Sequence, residues 1–188
     1  IHLTKKLNSN GIQFGDIDND GDIDLLVTDR QGNSRIYLNE CVSGGEWKFN
    51  DWNIESGIKN RFPSYSGLIA DFDNDGWQDI FFSNIGPNLF FRNQQDGLFK
   101  QIYQEVINPK SRLEYYSTGA TVADIERDGD LDLFVANKDT SCVLFLNPGT
   151  EHQSIRLLLE GVHSNRDAIG AKVWLYSDES ENNQNVLI

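Results

Sequence analysis

The stretch GDIDNDGDIDLLV, Gly15 to Val27, places five aspartates within nine residues and then turns abruptly apolar. Adjacent carboxylates repel one another, so a folded chain keeps such a cluster where something cationic neutralises it or water solvates it. A basic partner, a run of solvated turn residues or a bound metal ion would each satisfy that condition.

The stretch recurs. ADFDNDGWQDIFF begins one position before Asp71, and ADIERDGDLDLFV one position before Asp124. Counted from the first aspartate of each loop, the units are spaced 55 and 53 residues apart. A second landmark keeps step: RIYLN, LFFRN and LFLN end at Asn39, Asn93 and Asn147, which lie 23, 22 and 23 residues after the first aspartate of their unit. A third, a glycine followed by an aromatic, appears in GGEWKF and DGLF. Chance does not hold three landmarks in register, and self-similarity with a period near 50 residues points to a propeller, a solenoid or a similar array.

Within a unit the signals are those of strands. A short run enters the loop (GIQF, SGLIA, GATVA), a second leaves it (IDLLV, QDIFF, LDLFV), a third follows a polar turn (SRIYL, NLFF, CVLFL), and the Gly-aromatic segment supplies a fourth. These runs are short, rich in Val, Ile, Phe and Tyr, and bounded by Gly, Asn and Asp. The run leaving the loop is apolar on both faces, as in a strand covered on both sides. The expected fold is therefore all-β: four-stranded antiparallel blades of an incomplete β-propeller, since three units are visible and closed propellers have about four to eight. QIYQEVIN is the one segment that reads as a short helical turn.

Each loop follows one template, with acids at positions 1, 3, 5 and 9 and glycine at position 6. The acids are Asp16, Asp18, Asp20 and Asp24 in the first loop, Asp71, Asp73, Asp75 and Asp79 in the second, and Asp124, Glu126, Asp128 and Asp132 in the third. Alternate positions let carboxylates converge, and the glycine permits the bend that brings position 9 back. The carbonyl of position 7 (Asp22, Trp77 or Asp130) would face the ion. All-oxygen ligation of this number and flexibility suits Ca²⁺, up to three ions, rather than Mg²⁺, which prefers a rigid octahedron. An EF-hand is excluded, because its bidentate glutamate at position 12 is replaced by Val27, Phe82 and Val135. A plain Asx-rich turn would leave three matching sets of converging acids unexplained.

DIDNDGDID, DFDNDGWQD and DIERDGDLD resemble the calcium loops of FG-GAP/VCBS repeats, the blades of integrin-α-like propellers. The resemblance covers roughly residues 8–150, and residues 1–150 read as three such repeats, with loops at 16–24, 71–79 and 124–132. LLLEGVHSNRDAIGAKVWL, Leu157 to Leu175, resembles the opening of the ASPIC/UnbV domain that follows such repeats in cartilage-acidic-protein-like secreted proteins, and residues 151–188 read as its truncated beginning. The resemblance implies an extracellular, periplasmic or cell-surface setting and a calcium-stiffened scaffold for adhesion or for interaction with a protein or carbohydrate, rather than an active site. The third loop departs from the pattern at Glu126 and Arg127.

Composition agrees. Against 29 Asp plus Glu the chain has 16 Lys plus Arg, a formal charge of −13. That balance argues against nucleic acid and against an anionic membrane surface, both of which demand basic patches. Three Ca²⁺ ions would bring it to −7. No apolar run approaches the roughly 18 residues of a membrane span. The chain opens IHLTKKLNSN, without a hydrophobic signal segment. Beginning at Ile1 and holding no methionine, it is expected to be a piece of a longer chain. Its 188 residues suffice for a core without disulfides. Cys41 and Cys142 read as small strand-end residues.

The alternative is a propeller-based hydrolase or lyase whose active site lies outside these loops. Against it, His2, His152 and His163 stand outside the repeats, and neither a GxSxG elbow nor an HExxH motif occurs. Asp167 with Arg166 reads as a local ion pair, with a recognition site as the other reading. Trp47, Trp52, Tyr115 and Tyr116 read as packing residues, with a carbohydrate or protein surface as the other reading.

Overall fold

A computed structural model describes residues 6–40, 48–53, 55–102, 116–149, 152, 154–155, 157–162, 165–169, 171–175 and 184–187. The described residues hold strands and turns and no helix. Gln101 and Ile102, the start of QIYQEVIN, are strand and not helical turn; the rest of that segment lies outside the described residues, as do Cys41, Trp47, Tyr115, His2 and His163.

Strands β1 (Ser9–Gly15), β2 (Asp24–Asp29), β3 (Arg35–Asn39) and β4 (Phe49–Asp51) form one antiparallel meander. β5 (Ser64–Ala70), β6 (Asp79–Asn84), β7 (Leu89–Asn93) and β8 (Phe99–Ile102) form the second. The third comprises β9 (Ser117–Ala123), β10 (Asp132–Asn137) and β11 (Val143–Phe145), so it has three described strands where four were expected. Beyond it, β12 (Lys172–Leu175) and β13 (Gln184–Leu187) make a hairpin.

The meanders stack as propeller-like blades, with first strands side by side: β1 packs on β5 and β5 on β9. Small residues permit this approach. A Cβ at Gly11 would lie 2.9 Å from the Tyr65 carbonyl oxygen, and one at Gly67 would lie 2.6 Å from Leu26 Cδ2. Larger residues there would force the blades apart.

The register of the second strands explains the core. Leu26, Phe81 and Phe134 occupy one position, as do Ile36, Phe90 and Leu144 on the neighbouring strands. Leu26 and Ile36 pack with Ile80, Phe82 and Phe91 between the first two blades; Phe81 and Phe90 pack with Leu133 and Val135 between the second and third. The second position of each loop belongs to the same layer: Ile17 and Phe72 are buried in it. On the outer face of the third blade the equivalents Ile125, Phe134 and Leu144 are 53%, 40% and 45% exposed. Thus β2 and β6 are covered on both sides, and β10 on one. The cause is the neighbour, not the strand.

This contrast is measurable. Phe81 is 1% exposed, and Phe81→Ala should cost about 3–5 kcal/mol, the usual range for a buried phenylalanine. Phe134→Ala, at the same strand position, should cost no more than about 1 kcal/mol, since most of its cavity term is absent. Urea midpoints at constant m-value would check both. Equal losses would mean that the third blade's outer face is covered.

Candidate metal centres

The three acidic loops join the first and second strand of each blade, and their backbone is shaped by the acids themselves. The position-1 carboxylate accepts from the N–H of the glycine at position 6: Asp16 from Gly21 at 3.0 Å, Asp71 from Gly76 at 2.9 Å and Asp124 from Gly129 at 3.2 Å. The position-5 carboxylate accepts from the N–H of position 7: Asp20 from Asp22, Asp75 from Trp77 and Asp128 from Asp130. The position-6 glycines have φ between 88° and 96°, where a Cβ is penalised. Position 4 is left-handed as well, at Asn19 (57°), Asn74 (55°) and Arg127 (62°). Asparagine tolerates that region and arginine does not favour it, which is the physical meaning of the third loop's departure.

The position-9 aspartates act differently. One oxygen accepts from the position-2 N–H of the loop and the other from the N–H of the landmark asparagine, which ends the third strand in the first two blades and lies two residues past it in the third. Asp24 holds Ile17 and Asn39, Asp79 holds Phe72 and Asn93, and Asp132 holds Ile125 and Asn147. All three are buried.

The loops are also tied to one another. The Asn19 amide donates to the Gly76 carbonyl at 2.8 Å, and the Asn74 amide to the Gly129 carbonyl at 3.2 Å and to Asp130 Oδ1 at 2.7 Å. In return, the Asn93 and Asn147 amides donate to the position-2 carbonyls of the preceding loop, Ile17 and Phe72. Reasoning on single loops missed these links. Their signals were the asparagine at position 4 in two loops and the constant spacing of Asn39, Asn93 and Asn147.

Two groups of acids converge closely enough to hold one cation. Oxygens of Asp16, Asp18 and Asp24 lie within 4.8 Å of one another, and so do those of Asp71, Asp73 and Asp75. Asp20, Asp22, Trp77 and Asp79 are in neither group. Among the described residues the third loop's Asp124, Glu126, Asp128, Asp130 and Asp132 form no such group; Asp124, Glu126 and Asp128 are exposed. Asp16 Oδ1 and Asp18 Oδ1 are buried with no hydrogen-bond partner among the described residues. An orphaned carboxylate oxygen at each of two converging acids fits an oxygen-seeking cation. The second loop has a built-in cation: Arg92 Nε lies 3.0 Å from Asp73 Oδ2. Leu38 and Leu146 occupy that place in the other blades.

Burial raises the carboxyls of Asp24 and Asp79 to about 7, against the hydrogen bonds from Asn39 and Asn93 that favour their ionised forms. Burial, with the charge of Asp20, raises Asp18 to about 6. Asp16 and Asp71 are raised by burial too. Without a cation these five carboxyls resist ionisation.

Elsewhere, Trp52 packs edge-on against Phe99 at 6.1 Å, a core role as expected. Tyr116 is half-buried at the surface beside Tyr65. Arg166 pairs with Glu160, not with Asp167, and both partners are solvated. Cys142 is exposed and unbridged.

Stacked meanders with an acidic Asx-rich loop between first and second strands define a propeller-type repeat. Residues 71–135, from the second loop through the middle of β10, match the FG-GAP-like repeat. In an alignment of 183 positions that covers 90% of the chain, it is 30% identical to cartilage acidic protein 1 of Homo sapiens and 29% identical to that of Mus musculus. The Xenopus tropicalis protein is 28% identical over 181 residues. The chain spans 27% of the length of these relatives.

Two expectations follow. In metal-free protein, carboxyls held near 6 to 7 when folded and near 3.8 when unfolded keep protons that the unfolded chain has released. Stability is therefore greatest below the unfolded value and is lost as pH rises through 6 to 7. Thermal melts should give a higher Tm near pH 5 than near pH 8; the opposite slope would show that these acids ionise freely. Secondly, Asn74→Ala should be about 1 kcal/mol less stable than Asn74→Gly, because both lose the amide links while alanine alone adds left-handed strain. Equal stabilities would mean that the loop relaxes out of this conformation.

Proposed function

We propose that this chain is a calcium-stiffened propeller segment of an extracellular, periplasmic or cell-surface protein, serving adhesion or interaction with a protein or carbohydrate and not turnover. The observation that carries the reading is the convergence of Asp16, Asp18 and Asp24 with two buried, unpartnered oxygens among them. Calcium's role here is structural. It neutralises carboxylates that burial would otherwise protonate, and it rigidifies loops already tied from blade to blade. Asp16, Asp18 and Asp24, joined by Asp20, would hold the first ion, and Asp71, Asp73, Asp75 and Asp79 the second. Asp124, Glu126, Asp128 and Asp132 would hold the third. Similarity to cartilage acidic protein 1 over most of the chain supports this assignment. We assign residues 1–150 to three such repeats and residues 151–188 to the beginning of an ASPIC/UnbV-like domain.

The sites should differ in strength. The first loop gathers its acids with no fixed cation. The second shares Asp73 with Arg92. The third is exposed and carries Arg127 in a left-handed position. Its Glu126 stands one methylene further from the backbone than Asp18 or Asp73 and loses more side-chain entropy on ordering.

Calcium should raise the Tm and a chelator should lower it, by an amount corresponding to about 2.7 kcal/mol per site at a hundredfold excess over Kd. Identical melts in both conditions, with no calcium found by elemental analysis, would sink the reading. Calorimetric titration of single-loop variants should find the third loop filling last, and Glu126→Asp with Arg127→Asn should tighten it. A third loop that fills first would make Glu126 a well-adapted ligand.

A further inference from the structure

Opposite the acidic loops, the blade ends carry a cluster of different chemistry. Arg30 follows β2, Tyr65 is the second residue of β5, Tyr116 immediately precedes β9 and Lys138 follows β10. These four residues, drawn from all three blades, form one continuous row. The Arg30 guanidinium sits 5.3 Å from the Tyr65 ring centroid, and its Nη2 donates to the Tyr65 hydroxyl at 3.1 Å. The two tyrosine rings are 5.5 Å apart with hydroxyls 2.7 Å from each other, and Lys138 Nζ lies 5.1 Å from the Tyr116 ring centroid.

Three features mark the row as a site. Arg30 and Lys138 are exposed and make no ion pair among the described residues, in a chain of charge −13. Two cations held against tyrosines instead of acids leave their charge available. Next, the hydroxyl pair keeps a donor to spare. Tyr65 accepts from Arg30 and shares a hydrogen bond with Tyr116 in which either hydroxyl can donate. Whichever one donates, the O–H of the other is left for an outside acceptor. Finally, the acidic loops do not repel an anion here. Tyr65 and Asp71 are six residues apart on one strand, about 20 Å, which exceeds the Debye length of about 8 Å at physiological salt. Asp139, beside Lys138, is the acid whose charge reaches Tyr116; it makes the Arg30–Tyr65 end the stronger seat.

We propose that this row binds an acidic saccharide, with a carboxylate or sulfate seated on the exposed side of the Arg30 guanidinium, beside the Tyr65 hydroxyl. The tyrosines supply rigid ring surface and hydroxyls matched to sugar C–H faces and hydroxyls. A peptide is disfavoured because the main chain beside the row is already engaged. The Tyr65 carbonyl faces Thr28 Oγ1, the Tyr116 carbonyl accepts from the Lys138 N–H, and the Arg30 N–H donates to the Asn8 carbonyl. Strand addition therefore has little to pair with, and recognition falls to side chains. The proposal names a ligand class for the interaction role above. It does not need the calcium assignment, because the acidic loops lie at the other end of the blades.

The test is calorimetric titration of the full chain in calcium buffer. The probes are a sulfated, uronic-acid-containing oligosaccharide, an uncharged dextran oligomer and an oligoglutamate peptide. The acidic saccharide should bind, dextran and peptide should not, and affinity should weaken as salt rises from about 50 to about 200 mM. Arg30→Gln with Lys138→Gln should lose about tenfold or more in affinity, and Tyr65→Phe a smaller factor. Lys100→Gln, a charge removed elsewhere, should lose nothing. Tm and calcium content, measured separately, should be unchanged in all variants, so failure to bind sugar leaves the calcium reading standing. Equal binding of dextran or peptide, or full affinity in the double variant, overturns the proposal. So does a native chain that binds no saccharide and whose row variants only melt earlier, since the row is then a tether between blades.

Discussion

The arrangement rests on three buried aspartates, Asp24, Asp79 and Asp132, each of which begins the second strand of its blade. Each carboxylate bridges two backbone N–H groups that no strand ladder could reach, one in the loop and one at or just past the end of the third strand. A carboxylate that accepts from two directions fixes both at once. The loop is thereby held over the blade, and the landmark asparagine is held where its amide can reach the loop of the blade before it. Blade-to-blade order at this end of the molecule follows from one residue type at one position.

That order carries an electrostatic strain. Burial that makes the bridges effective also disfavours charge, which is why Asp24 and Asp79 are held near 7. The position-1 and position-3 acids converge on the same ground, and two of their oxygens face no donor among the described residues. Hydrogen bonds shape the loop but do not discharge it. Arg92 offsets part of that charge in the second blade, and a divalent cation would offset it in the first.

The two ends of the blades are therefore unlike. One end gathers carboxylates; the other aligns Arg30, Tyr65, Tyr116 and Lys138. Both cross from blade to blade chiefly through side chains, joined at the second end by the isolated backbone bridge between Ile85 and Tyr116. The apolar layers between them supply most of the adhesion, and the polar links set the register.

What the sequence determined by itself was the local and the periodic. The spacing of Asp16, Asp71 and Asp124, the apolar runs after them and the constant step to Asn39, Asn93 and Asn147 made the repeat, the strands and the acidic loops legible. Those features are encoded within a few residues or in exact repetition. Partnership across blades was not legible. Nothing in RIYLN or LFFRN says that the asparagine reaches another blade's loop, that Arg92 meets Asp73, or that Tyr116 is paired with Tyr65 and is not part of the core. Ile17 and Ile125 have the same place in their loops, yet one is buried and the other open to water. A side chain's chemistry is written in its residue, but its burial and its partners belong to whichever surface the fold lays against it.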